Sequence, residues 1–182
     1  MNLPTWITVS RLLVLPIILY LLHEPTKVKL WSSLGIFLLG ASTDWLDGYL
    51  ARKLNQVTEL GKFLDPLVDK LLVLGPLLAL IELGKVPAWG VFLILARELA
   101  IAGWRINPQL AGDSSIKGAN IWGKGKTVTQ IGAIALLIAP LPPNWHTPAL
   151  IFFWVSVAVT LISGLIYIFP NISSSTEKSM AA

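Results

Sequence analysis

The chain has no cysteine, two histidines and few charged residues, which make up 13% of its 182 positions. Without cysteine it can form neither a disulfide framework nor a thiolate metal site, so any metal must be bound by oxygen or histidine ligands. Against this scarcity of charge stand 54% hydrophobic residues and a mean hydropathy of +0.70. This composition excludes an ordinary soluble domain and predicts an integral membrane protein, for which we expect no nucleic-acid partner.

Long uncharged runs are also scarce. Only 127–145 and 149–169 are uncharged over about the 20 residues that a membrane span needs. The other apolar runs are shorter and continue into charged half-helices, and we join each run to its continuation. The result is an all-α protein with six transmembrane helices at 5–22, 30–53, 61–82, 86–106, 124–141 and 147–169. They form one domain over 1–170, followed by a polar tail over 171–182.

The position of charge along each predicted helix indicates a polar cavity at one side of the bundle. Charge falls near the start of helices 1, 3 and 5 and near the end of helices 2 and 4, so helices of alternating direction bring it together. Of the 14 lysines and arginines, only Lys27, Lys29 and Lys85 fall on the other side. By the positive-inside rule, the cavity opens to the cytoplasm of a multi-pass protein.

Four aspartates lie in the segment "STDWLDGYLARKLNQVTELGKFLDPLVDK". On helices, Asp44 and Asp47 share one face, as do Asp65 and Asp69. One ionised carboxylate at the centre of a membrane helix costs about 2.5–3.5 kcal/mol. Four such carboxylates are therefore expected to bind divalent cations that neutralise their charge. The structural alternatives are that Asp44 caps a helix and that Asp65 caps one that begins at Pro66.

Small residues and an arginine separate the two aspartate pairs. Gly48, Ala51 and Gly61 leave room for a ligand beside the carboxylates, and Arg52 suits bidentate contact with phosphate. Close packing of helices through small residues is the alternative explanation.

The pattern D-x2-D-G-x2-A-R-x8-G-x3-D-x3-D in this segment resembles the signature of the CDP-alcohol phosphatidyltransferases. The segments "NLPTWITVSRLLVLP", "ARELAIAGWR" and "WGKGKTVTQIGAIAL" resemble the bacterial phosphatidylglycerophosphate synthases of that family. Gly125 departs from the expected larger apolar residue, and we expect it to loosen the start of helix 5.

The resemblance implies a homodimeric membrane enzyme of phospholipid biosynthesis, in a bacterial inner or plasma-type membrane, that joins CDP-diacylglycerol to sn-glycerol 3-phosphate and releases CMP. It implies two divalent ions, Mg²⁺ or Mn²⁺, bound by Asp44, Asp47 and Asp65, with Asp69 as a further ligand and the catalytic base. The CDP moiety would be bound by Asp47, Gly48, Ala51, Arg52 and Gly61. Thr8, with Arg11, either closes the nucleotide end of the cavity or anchors helix 1 at the interface.

The acceptor must be selected by other residues, and a dianionic glycerol phosphate needs surplus positive charge. Arg105, Lys124 and Lys126 supply this charge, although lysine and arginine gather at cytoplasmic helix ends in any membrane protein. Arg97 and Glu98 should pair with each other or with the metal site, because a buried charge without a partner is too costly.

Other functions remain open. Within the family, the protein could be a cardiolipin, phosphatidylserine or phosphatidylinositol phosphate synthase. A divalent-cation transporter would also keep carboxylates in the membrane, but it needs a polar path through both leaflets. An inactive scaffold would not need the intact motif. His23 and His146 lie in predicted loops on the side away from the carboxylates, and we expect them to be solvated.

Overall fold

The computed structural model describes residues 3–54, 59–106 and 117–168, and within them the side chains of 9–43, 66–103 and 123–167. Across these residues the chain is helical and has no strand. The helices are α1 (Leu3–His23), α2 (Lys27–Leu54), α3 (Glu59–Glu82), α4 (Ala88–Ile106), α5 (Lys117–Ile138) and α6 (His146–Ile168). A short 3-10 turn, Pro143–Trp145, precedes α6. The all-helical prediction is confirmed for the described part of the chain.

Local sequence signals fix several helix ends. The hydroxyl of Thr26 accepts a hydrogen bond from the Lys29 amide at 3.2 Å, so Thr26 caps the start of α2. At the end of α3, the Gly84 and Lys85 amides donate to the carbonyls of Ile81 and Leu80, both at 2.9 Å. Gly84 has φ +67°, which glycine adopts without steric cost. The turn into α4 is therefore short and tight.

The predicted bounds of helix 5 were wrong at both ends. α5 begins at Lys117, not 124, and ends at Ile138, not 141. It ends there because the residue before Pro140 is disfavoured in a helical conformation. The helix passes through Gly125 and begins before it, so Gly125 is not at the helix start that it was expected to loosen. An uncharged run therefore does not mark where a helix stops.

Two contacts show that α1 and α3 run in the same direction. In the first half of both helices, Arg11 bonds to Asp69, and at their ends His23 lies 3.6 Å from Glu82. Between these contacts, Gly75 gives Leu15 room to pack directly on the backbone of α3. The residue numbers rise together along the interface, so the charged starts of α1 and α3 lie at the same end of the bundle.

Side-chain contacts also set the directions of the last three helices. α4 and α6 run in parallel, and α5 runs opposite to both. The contacts are Gly90 with Phe153 and Arg97 with Ser163 between α4 and α6, Lys126 with Glu98 between α5 and α4, and Gly132 with Phe152 between α5 and α6. Because a tight turn joins α3 to α4, the charged end of α4 lies at the same end of the bundle as the starts of α1 and α3. We call this the polar end.

The apolar core occupies the other end. Its fully buried side chains come from every helix, and they include Ile18, Phe37, Leu80, Ile138 and Phe153. Glycines at the helix contacts allow close approach, since a Cβ on Gly90 would lie 2.8 Å from the Phe153 ring. The bundle is thus closed by apolar packing at one end and carries its buried charges at the other.

One helix of the described part, Pro143–Tyr167, is long and apolar enough to cross a membrane, with a hydropathy of 2.4 in its most apolar window. The apolar segment Val9–His23 in α1 is shorter. Six spans and a cytoplasmic cavity therefore stay predictions.

Candidate active site

The first contact between charged side chains at the polar end of the bundle joins α1 to α3. Arg11 is 3% exposed, and its Nη1 donates to Asp69 Oδ1 at 2.9 Å. The Asp69 side chain is 42% exposed, so a ligand can reach its carboxylate. Of the two interpretations of Arg11, an interfacial anchor for helix 1 is wrong, because the side chain is buried inside the bundle. The guanidinium instead orients Asp69.

The helical backbone places the four aspartates as two pairs. Asp44 and Asp47 lie well inside α2, and Asp65 and Asp69 lie inside α3, which already begins at Glu59. Neither Asp44 nor Asp65 therefore caps a helix, and both structural alternatives are wrong. Because residues three or four apart share a helix face, each pair lies on one face.

A contact between α2 and α3 sets the register of the two pairs. A Cβ on Gly40 would lie 3.4 Å from Leu72 Cδ1, and this contact is about equally far from the residues 55–58 that join the helices. The helices are therefore antiparallel. Asp44 follows Gly40 by one turn and Asp69 precedes Leu72 by one turn, so both lie one turn closer to the polar end. This register brings their backbones to a similar depth.

Most side chains of the predicted nucleotide and metal site, and that of Arg105 in the predicted acceptor site, lie outside those that the structure describes. Their backbones are helical, on α1, α2, α3 and α4. These residues are Thr8, Asp44, Asp47, Gly48, Ala51, Arg52, Gly61, Asp65 and Arg105. The described side chains alone contain no group of three or more acids or histidines that could hold a metal. The metal and CDP sites accordingly stay predictions.

A second polar contact, which we call the α4–α5 charge cluster, consists of Arg97, Glu98 and Lys126. Glu98 Oε1 accepts from Arg97 Nη1 at 3.0 Å and from Lys126 Nζ at 2.5 Å. The three side chains are 11%, 13% and 13% exposed. The expectation that Arg97 and Glu98 pair is confirmed. The bond from Lys126 was not predicted, because that lysine was assigned to the acceptor phosphate.

The cluster is connected to α6 and lies near α3. Arg97 Nη2 donates to Ser163 Oγ at 2.9 Å. Lys70, beside Asp69 in sequence, is close enough to repel Lys126 electrostatically. Lys124, the other described member of the predicted acceptor site, is exposed. Lys126 is therefore the member of the cluster that lies near Lys70 of α3, whereas Lys124 is exposed.

The histidines are placed as expected. His23 and His146 are both exposed at the end of the bundle opposite to Asp69. His23 lies beside Glu82, and both side chains are about 70% exposed. Sequence analysis missed the Arg11–Asp69 and Lys126–Glu98 pairs. The only signal for either was a charged residue within an apolar helix, which predicts that a partner exists but not which one.

Comparison with known proteins identifies the family. A family model for CDP-alcohol phosphatidyltransferases matches residues 1–162. The CDP-diacylglycerol–glycerol-3-phosphate 3-phosphatidyltransferase of Bacillus subtilis is 40% identical, and the alignment covers 93% of this chain and 95% of that protein. The chain belongs to the CDP-alcohol phosphatidyltransferase family. The resemblance drawn from the aspartate motif is confirmed.

Other members of this family match over similar lengths. An enzyme of the same name from Pseudomonas fluorescens is 34% identical over 99% of this chain and 96% of its own length. A probable phosphatidylglycerophosphate synthase of Mycobacterium tuberculosis is 35% identical over 92% of this chain and 80% of its own. The family match spans the aspartate motif, the α1–α3 contact and the α4–α5 charge cluster. Family membership and the apolar α6 together identify a membrane-bound phosphatidyltransferase.

Proposed function

We propose that the protein transfers the phosphatidyl group of CDP-diacylglycerol to sn-glycerol 3-phosphate, giving phosphatidylglycerophosphate and CMP. One observation carries this proposal: the Bacillus subtilis enzyme named for this reaction is 40% identical over nearly the whole of both chains. Relatives from Pseudomonas fluorescens and Haemophilus influenzae, at 34% and 30% identity, carry the same name. The product belongs to phosphatidylglycerol biosynthesis.

Asp69 is the group that we assign to the proton transfer. A glycerol hydroxyl attacks the β-phosphorus of the CDP-lipid, its proton passes to the Asp69 carboxylate, and CMP leaves with the electron pair of the broken bond. The exposure of Asp69 leaves its carboxylate within reach of a substrate, and the bond from Arg11 fixes its orientation. A general base needs both properties.

Asp44, Asp47 and Asp65, with Asp69, are the residues that would hold the divalent cations, Mg²⁺ or Mn²⁺. Their donors are carboxylate oxygens, which these ions prefer, and their helical spacing puts two on one face of each helix. Bound ions would neutralise the pyrophosphate and so make CMP a better leaving group. Thr8 and the motif residues Asp47, Gly48, Ala51, Arg52 and Gly61 are proposed to hold the CDP moiety.

Lys126, Lys124 and Arg105 are proposed to bind the acceptor phosphate. Lys126 lies at the polar end, on the helix that contacts α4, and it is mostly buried. A mostly buried ammonium binds a dianion more strongly than an exposed one, because water screens it less. Lys124 is exposed, so we expect it to contribute less than Lys126.

A multi-pass arrangement with the polar end toward the cytoplasm is part of the same proposal. Exposed large apolar side chains occur on each of the helices α1 to α6 that the structure describes, as expected for a surface in contact with lipid. Exposed Trp31, Trp89 and Trp145 lie near helix ends at the side away from the charges, where an interfacial belt is expected. The family resemblance also supports a homodimer.

The proposal is tested with purified protein, CDP-diacylglycerol and labelled sn-glycerol 3-phosphate. We expect labelled phosphatidylglycerophosphate and an equal amount of CMP, both lost when a chelator removes divalent metal. The Asp44→Ala variant, checked for folding, is the control for contaminating activity. Folded protein that releases no CMP under any metal condition would refute the proposed reaction.

A further inference from the structure

The α4–α5 charge cluster has more positive than negative charge. Two cations, Arg97 and Lys126, donate to the same carboxylate oxygen, Oε1 of Glu98. Both cations are mostly buried, and Lys70 adds repulsion at Lys126. Charges withdrawn from water are costly unless balanced, so the described cluster is suited to accept an anion. A pair that served packing alone would need only one cation for the one carboxylate.

Contacts with α6 fix the position of Arg97. Its Nη2 donates to Ser163, and its stem lies against Gly164, where a Cβ would come within 2.9 Å of Arg97 Cγ. A larger residue at this position would displace the arginine. Its Nε is buried and has no hydrogen-bond partner among the described residues. Arg97 is therefore confined by packing on one side and by a hydroxyl on the other.

Because Arg97 is confined by α6, the position of Lys126 is restricted as well. Arg97 holds Glu98 Oε1 at 3.0 Å, and the same oxygen holds the Lys126 ammonium. A lysine has a long flexible stem, so its ammonium can otherwise take up several positions. The bond to Glu98 selects one position for the ammonium among these alternatives.

We propose that Glu98 is a positioning residue for the acceptor: it holds the Lys126 ammonium where the phosphate of sn-glycerol 3-phosphate binds. This rests on the proposed function. The excess positive charge of the cluster is then balanced by the acceptor dianion when it binds. Arg97 and Ser163 act indirectly. Ser163 holds Arg97, Arg97 holds the Glu98 carboxylate, and this carboxylate holds the Lys126 ammonium.

Replacing Glu98→Gln tests the proposal, because glutamine keeps the size of the side chain and removes its charge. The Michaelis constant for sn-glycerol 3-phosphate should rise about tenfold or more, the usual scale of one charge-assisted hydrogen bond. The constant for CDP-diacylglycerol should stay within about twofold, since the nucleotide motif lies on α2 and α3. The conservative variant Glu98→Asp should recover part of the loss. Equal losses for both substrates, or no change for either, would overturn the proposal.

A double-mutant cycle separates positioning from a general contribution to folding. If Glu98 acts through Lys126, then Glu98→Gln should add little to the acceptor constant once Lys126→Met is present. Fully additive effects on that constant would contradict a shared role. Melting temperature, measured on the same samples, reports the structural contribution separately.

If Glu98→Gln does not fold, two less disruptive variants on α6 test the positioning role of Glu98. Ser163→Ala removes the hydroxyl that holds Arg97, whereas Ser156→Ala removes a buried hydroxyl that donates to the Phe153 carbonyl within α6. Ser163→Ala should raise the acceptor constant and Ser156→Ala should leave it unchanged. Identical behaviour of the two variants would refute the proposal. Wild-type protein that does not use sn-glycerol 3-phosphate would instead refute the proposed function itself.

Discussion

Replacing Arg11→Met should destabilise the bundle and slow CMP release. Methionine keeps most of the apolar stem of the arginine, so the main change is the loss of the guanidinium. Arg11 is 3% exposed and bonds to Asp69 at 2.9 Å, and this contact links α1 to the carboxylate to which we assign the proton transfer. The loss therefore affects both the packing of α1 on α3 and the orientation of Asp69.

The exposure of Arg11 and Asp69 determines how much unfolding free energy the substitution should cost. A hydrogen bond between charged groups contributes about 1.5–3 kcal/mol. Stranding a buried charge costs about 3–5 kcal/mol. This substitution removes the buried member of the pair, and the carboxylate that remains is 42% exposed and can be hydrated. We therefore expect the low end, about 1.5 kcal/mol, which corresponds to about 3–6 °C in melting temperature for a chain of this size.

The assay is thermal unfolding in detergent, followed by the rate of CMP release on the same sample. The matched control is Glu82→Gln, which changes the contact between Glu82 and His23 that joins the same two helices at their other ends, where both side chains are about 70% exposed. Exposed pairs contribute about 0–1 kcal/mol, which corresponds to about 0–4 °C on the same scale, so the control should lose less in melting temperature than Arg11→Met. If both variants melt alike and release CMP at the wild-type rate, the structural importance of Arg11 is refuted.

The remaining predictions concern the aspartates and Lys85. Asp44→Ala and Asp65→Ala should each give folded but inactive protein, and turnover by the wild type in excess chelator would contradict a metal site. Asp69→Asn should still bind CDP-diacylglycerol while kcat falls about 10²–10⁴-fold; normal kcat with weak nucleotide binding would make Asp69 a ligand only. Lys85 Nζ donates to the Leu137 carbonyl at 2.6 Å at the end of α5, so Lys85→Met should cost about 1 kcal/mol of unfolding free energy. Because burial lowers the pKa of Lys85, the unfolded chain binds more protons between that lowered pKa and 10.5, and the stability lost in the variant should grow as pH rises through this window.

For the described residues, the number and direction of the helices could be predicted because the charges mark one half of each helix. The positions of Arg11, Asp69 and Glu98 along their predicted helices, with short connections, sufficed to bring them to the same end of the bundle. The bounds of α5 could not be predicted in the same way. Hydropathy reports where a chain is apolar, but α5 already begins at Lys117, before the apolar run, and it stops before Pro140.

The partners of the buried charges could not be predicted from the sequence. The pairing of Arg11 with Asp69 depends on the parallel packing of α1 on α3, and no local spacing encodes that register. The bond between Lys126 and Glu98 likewise depends on how α5 packs on α4, because the two residues are far apart in sequence. The cost of burying charge predicts that each must have a partner, and only the packing of helices selects it. The aspartate motif was recognised from spacing alone, because its residues are close in sequence.

The most direct test of the proposed function is a competition among acceptors. Purified protein receives CDP-diacylglycerol with equal amounts of sn-glycerol 3-phosphate, serine, inositol phosphate and phosphatidylglycerol, and the lipid products are identified by mass. The proposed function predicts phosphatidylglycerophosphate as the dominant product, formed in step with CMP. Preferential formation of phosphatidylserine, phosphatidylinositol phosphate or cardiolipin would contradict it.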